Sequence, residues 1–213
     1  IGYVGEVFRV HGMYSNGIKT ANKPWVSYDT EYAFMGRAEV LVDGNWKQFK
    51  DFTSPRGSEF GLMGGVGVVY QSAEYGTTAG PEETDFRLTA DLSLEGDGWN
   101  VFVGGTYQDL DEADTNPWGI VVQGGYYIDD DLELFARYEL GDSDDGSSDE
   151  NLSVLTAGVN KYFSKHALKW TTDFGYGFDP VSGFWDKLGA GWRPDATGED
   201  GQFVLRTQIQ LLF

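Results

Sequence analysis

Residues Gly201 to Phe213 read GQFVLRTQIQLLF, and their alternation sets the fold class. Phe203, Leu205, Thr207, Ile209, Leu211 and Phe213 share one side of an extended chain, while Gln202, Val204, Arg206, Gln208, Gln210 and Leu212 share the other. Successive side chains of a strand point to opposite faces, so one face is apolar, ending on an aromatic ring, and the other is mostly polar.

The same period of two recurs toward the N-terminus. Apolar faces run through Phe8, Val10, Gly12 and Tyr14; Phe34 to Val42; Phe60 to Tyr70; Phe86 to Leu94; Trp99 to Tyr107; Ile120 to Ile128; and Leu132 to Leu140. A less regular segment covers Leu152 to Phe163, and a ninth runs from His166 to Phe178. With the C-terminal segment this predicts ten strands. At roughly 10 to 13 residues they exceed ordinary globular strands and suit tilted membrane-spanning ones. Aromatic residues near both ends of several faces (Trp99 and Tyr107, Phe60 and Tyr70, Tyr126) resemble interfacial girdles. A soluble β-sandwich also alternates, because one face of each sheet is solvated; strand length and aromatic placement favour the barrel.

Long and short connections alternate. Long ones are expected at 180–200, 141–150, 109–117, 73–84 and 16–31, and short ones near Ser164-Lys165, Asp129-Asp131 and Gly96-Gly98. Short turns on the side of the C-terminus and long loops opposite are the rule for membrane barrels. Asp43 to Ser58 breaks the rhythm, being long on the short-turn side.

Composition narrows the function classes. The chain has 213 residues, 30 glycines, 6 prolines, no cysteine and a net charge of -19. Disulfide scaffolds, thiolate metal sites and cysteine nucleophiles are excluded, and nucleic acid is disfavoured as a partner because its phosphates would be repelled. Mean hydropathy is -0.37, which argues against spanning helices but not against a barrel, where only alternate residues meet lipid. Ile1 follows neither an initiator methionine nor a basic-apolar leader, so a processed chain or a fragment is expected.

The C-terminal pattern, with Ile209, Leu211 and Phe213 on one face, resembles the assembly signal of bacterial outer-membrane β-barrels. The runs WKQFKDFTSPRGSEFGLMGG (Trp46 to Gly65) and KWTTDFGYGFDP (Lys169 to Pro180), followed by GQFVLRTQIQLLF, are similar to the C-terminal half of phosphate-selective porins O and P in their planctomycete version. The likeness covers most of the chain and is weak in the acidic loops. It implies a single domain over residues 1–213: an all-β antiparallel transmembrane barrel, with about ten strands here forming the C-terminal part of a 16-stranded porin. It further implies the bacterial outer membrane, lipid and lipopolysaccharide as surroundings, a homotrimer, no cofactor, and passage of small hydrophilic solutes or anions such as phosphate. The family's own phosphate-selective residues have no match in this sequence that can be carried over.

Six basic residues fall on the polar faces: Arg9, Arg37, Arg87, Arg137, Lys169 and Arg206. Counting from the short-turn ends at about 2.3 Å of rise per tilted residue puts five of them about 12 to 18 Å up, near mid-pore. Glu39, Asp91, Glu95 and Glu133 lie lower; Glu139 and Asp173 lie at the upper edge. Two readings stay open: a basic belt preferring anions at mid-pore, or cross-strand ion pairs that satisfy a polar wall. The long loops hold eighteen acids against four bases, which would draw cations and repel anions at low salt. Asp142 to Glu150, DSDDGSSDE, offers oxygen ligands but lacks EF-hand spacing, so no metal site is assigned.

No GxSxG, HExxH or phosphate-cradling glycine loop is present. His11 is expected to face the lumen and His166 the lipid. An omptin-like protease would need Asp and His above the membrane, and neither histidine falls in a long loop. The expectation is a non-enzymatic passive channel. The alternatives are a structural or adhesion barrel with acidic surface loops and, behind it, an omptin-like protease.

Overall fold

A computed structural model describes residues 1–15, 30–74, 82–181, 185 and 199–212. Phe213 of the expected assembly signal, and the loop charges within 16–29 and 186–198, lie outside the described residues.

Among the described residues, eleven strands form one sheet in which every strand pairs antiparallel with its neighbours in sequence. They are β1 Gly2–Val4, β2 Phe8–Ser15, β3 Thr30–Asp43, β4 Gly61–Glu74, β5 Glu82–Gly96, β6 Trp99–Leu110, β7 Trp118–Asp129, β8 Leu132–Asp142, β9 Asn151–Ser164, β10 Leu168–Gly177 and β11 Phe203–Leu211. All ten expected strands are present. The eleventh is the short β1, which pairs with Arg9 to His11 of β2; Gly2-Tyr3-Val4 is too brief for alternation to mark it. The sheet is open, with β1 and β11 as its edges among the described residues, so closure into a barrel is not observed. A 3-10 turn at Gln48–Lys50 interrupts the strand sequence between β3 and β4, and no helix among the described residues is long and apolar enough to cross a membrane.

Burial is inverted relative to a soluble sheet. Leu205, Ile209 and Leu211 are 71%, 74% and 62% exposed, and Phe8, Val66, Leu88, Ile120, Leu134 and Phe174 are exposed on the same side. The opposite, polar side carries the covered residues, including Asp85 at 0%, Gln71 at 1% and Glu133 at 2%. Among the described residues no second layer packs on the apolar face. Register fixes the two sides consistently: Arg9, Glu39, Gly65, Asp91, Gly104, Val121, Glu139 and Val154 lie on one cross-strand row of the polar side.

Candidate functional site

The polar face is built like a lined wall. Arg9 on β2 pairs with Glu39 on β3. Glu39 also meets Arg37, at 3.1 Å. Arg37 in turn makes two bonds to Asp91 of β5, at 2.7 and 3.0 Å. This last pair spans β4, which lies between the two strands. Gly65 of β4 permits it: a Cβ there would sit 2.5 Å from Nη2 of Arg37 and 3.1 Å from Oδ1 of Asp91. A glycine in strand interior is otherwise a weak choice, and close approach by another group is the usual reason for it. Gly125 does the same on β7, where a Cβ would collide with the Glu133 carboxylate and lie 2.7 Å from Nδ2 of Asn100.

The remaining expected cations are placed as follows. Arg87 donates to Asp85 at 2.9 and 2.6 Å. Arg206 donates to Asp173 at 2.8 Å through Nε. Arg137 lies 3.1 Å from Glu139. Lys169 stands over the Tyr162 ring at 5.7 Å, with no carboxylate in ion-pair range among the described residues. Five of the six cations therefore sit against carboxylates. Such pairs, about one-third exposed on the basic side, contribute only about 1 kcal/mol each; their main effect is to cancel charge along the wall. Of the two readings the sequence left open, the pairing is the one visible here: Arg9–Glu39, Arg37–Asp91 and Arg206–Asp173 cross strands, while Arg87–Asp85 and Arg137–Glu139 pair within one strand.

Glu133 anchors a second network. Its carboxylate accepts from Asn100 at 3.2 Å, Asn160 at 2.9 Å and the Tyr162 hydroxyl at 2.6 Å. Tyr162 stacks on Tyr127 with centroids 5.6 Å apart, and the Tyr127 hydroxyl bonds Thr53 at 3.1 Å. Asp85 was missed by the sequence reading, although extending the polar parity of β5 one step beyond Arg87 reaches it.

Thr53 belongs to Asp43–Ser58, the segment that breaks the alternation of long and short connections. Residues 44–60 do not hang from the sheet; they cross its polar face as a strap. The Trp46 indole donates to Gly5 and Glu6 carbonyls in the β1–β2 turn. Phe52 packs edge-on against Phe102 of β6 at 4.8 Å. The Ser54 hydroxyl donates to the Gly96 carbonyl at 2.6 Å, and Arg56 donates to the Tyr127 and Ile128 carbonyls ending β7. Asp51 reaches Nε2 of His166 in the β9–β10 turn at 3.6 Å. In a flat sheet, the strand spacing would separate β4 from β9 by about 24 Å, so the strap runs like a chord across the end of the wall.

His166 thus contacts the strap and, at 5.3 Å, the ring of Tyr162 on the polar face, which corrects the expectation that it shares the apolar face. Lys165 beside it has φ of 47° and the register slips between Leu168 and Lys169, so parity counted through the turn fails by one residue. His11 keeps the polar side, cross-strand from Arg37.

At the other end of the wall, Val181 and Trp185, in the connection after β10, are buried with Val154 against Leu152 and Val204. The Trp185 indole donates to the Glu150 carbonyl at 3.1 Å. The polar face is therefore occupied near both ends. Among the described residues no group of His, Cys, Asp and Glu is placed to hold a metal ion. No family model, curated protein or solved structure matches the chain.

Proposed function

We propose that this chain forms the wall of a bacterial outer-membrane porin, a passive water-filled channel for small hydrophilic solutes. The observation that carries the reading is the inverted burial: a continuous apolar face stands exposed while carboxylates and amides on the other face are covered. A bilayer is the solvent in which that arrangement is stable, provided that the sheet edges are paired. Because eleven antiparallel strands alternate, β1 and β11 run toward the same end. Pairing them directly would be parallel, so antiparallel closure takes an odd number of further strands; a sixteen-strand wall satisfies this.

The charge pattern supports weak selectivity. The wall is nearly balanced, so a solute meets alternating signs rather than one continuous field, and the strap 44–60 narrows the inner end sterically. Selectivity would then follow from size and from the acidic outer loops more than from a cationic ladder.

Single-cysteine scanning tests this in an otherwise cysteine-free chain. A membrane-impermeant maleimide should label Gln208→Cys and Thr171→Cys but leave Leu205→Cys and Ile209→Cys unmodified in vesicles. Planar-bilayer recordings should show stepwise ohmic conductance. Equal labelling of both parities would overturn the membrane reading; correct labelling without conductance would favour the structural or adhesion barrel.

A further inference from the structure

Beside Phe102, on the polar face, the wall is hollowed into an open cleft of about 340 Å³, at the lower end of the usual range for small-molecule sites. Its floor is bare because Gly104 and Gly119 face it. Aromatic rings bound it: Phe102, held edge-on by Phe52 of the strap, and Trp185, fixed by its bond to Glu150. Among the described residues its charged lining is two carboxylates, Asp91 and Glu139, with no basic side chain. The two acids differ. Both Asp91 oxygens are engaged by Arg37. Glu139 touches Arg137 through one oxygen and its side chain stays 32% exposed, which leaves acceptor capacity toward the cleft.

The approach to this cleft is acidic as well. The described outer segments 109–117, 142–150 and 199–200 contain eleven acids and no lysine or arginine. Such a mouth raises the local concentration of cations within about a Debye length. We propose that the cleft is a transit site for small organic cations, in which Glu139 accepts from an ammonium or guanidinium group while the apolar body lies over Gly104 and Gly119 between Phe102 and Trp185. Aromatic faces and a carboxylate both favour a cation carried on an apolar frame. A neutral sugar would gain nothing from the acidic mouth, and phosphate would be repelled by it.

The proposal rests on the channel reading, so the test measures binding apart from conduction. The whole protein in detergent micelles is titrated calorimetrically with benzylammonium, benzyl alcohol, glucose and inorganic phosphate. Benzylammonium should bind at low ionic strength, more weakly at 0.5 M salt, and at least about tenfold more tightly than its neutral alcohol. Gly119→Val is suited to filling the floor, because the nearest atoms to a Cβ there are 3.6 Å away or more; it should weaken binding about tenfold. Glu139→Gln should weaken it about fivefold by removing the charge. Unchanged affinity in both variants, benzyl alcohol binding as tightly as benzylammonium, or preferential binding of glucose or phosphate would each overturn the site. Absence of conductance steps in a bilayer would instead overturn the channel and leave the calorimetric result standing.

Discussion

Gly64 and Gly65 are neighbours in sequence on opposite faces of β4, and replacing each by alanine should have opposite consequences. At Gly64 the nearest atoms to a new Cβ are 3.7 Å away, ordinary contact. Alanine also restricts the unfolded chain and suits a strand better than glycine, so Gly64→Ala should be neutral or stabilise by about 0.5 kcal/mol. At Gly65 the Cβ would lie 2.5 Å from Nη2 and 3.0 Å from Cζ of Arg37. The guanidinium must then leave Asp91, whose side chain is only 13% exposed. Hydrogen bonds to charged groups contribute about 1.5–3 kcal/mol; with the Arg37 side chain 36% exposed, solvent screening puts the loss at the lower end, about 1.5–2 kcal/mol. The gap between the two variants should therefore be about 1.5–2 kcal/mol, or roughly a 10- to 30-fold change in the unfolding equilibrium. Urea unfolding in lipid vesicles, followed by tryptophan fluorescence, measures it. In an Arg37→Ala background the gap should shrink to under about 0.5 kcal/mol, since neighbours that share a partner are non-additive. Equal stabilities for Gly64→Ala and Gly65→Ala, or a gap that survives in the Arg37→Ala background, would refute the idea that Gly65 exists to let Arg37 across.

Replacing strap residues 44–60 by a short hairpin turn should raise single-channel conductance at least about twofold, read as step size in planar bilayers, because the chord across the wall is removed. Glu133→Ala strands three donors, those of Asn100, Asn160 and Tyr162, and should cost about 3 kcal/mol in the same unfolding assay; Glu133→Gln keeps one acceptor and should cost about half of that. Changing Arg137 and Arg206 together to Glu leaves them facing Glu139 and Asp173, so the reversal potential in a salt gradient should move toward cation preference; no movement would place this pair of sites away from the conducting path.

Alternation alone located β2 to β11 to within a few residues, because the side to which a residue points is a local property of extended backbone and needs no knowledge of partners. It also sorted residues by face: Arg9, Arg37, Arg87, Arg137, Lys169, Arg206, Glu39, Asp91 and Asp173 all lie on the polar side of the sheet. His166 escaped it, because a left-handed residue and a register slip in the turn break the count. β1 escaped because three residues carry no period.

What only the tertiary structure decided is which charges meet and what lies over them. Arg37 finds Asp91 from two strands away, across a glycine, and that pairing depends on register on both sides of β4. The strap's course is set by hydrogen bonds to Gly96, Tyr127 and Ile128, residues far from it in sequence and offering mostly backbone carbonyls, which every residue possesses. The sequence could therefore place the two faces of the wall, since parity is written residue by residue. The balance of its charges and the chord across its end were decided by contacts between distant segments, for which no local pattern exists.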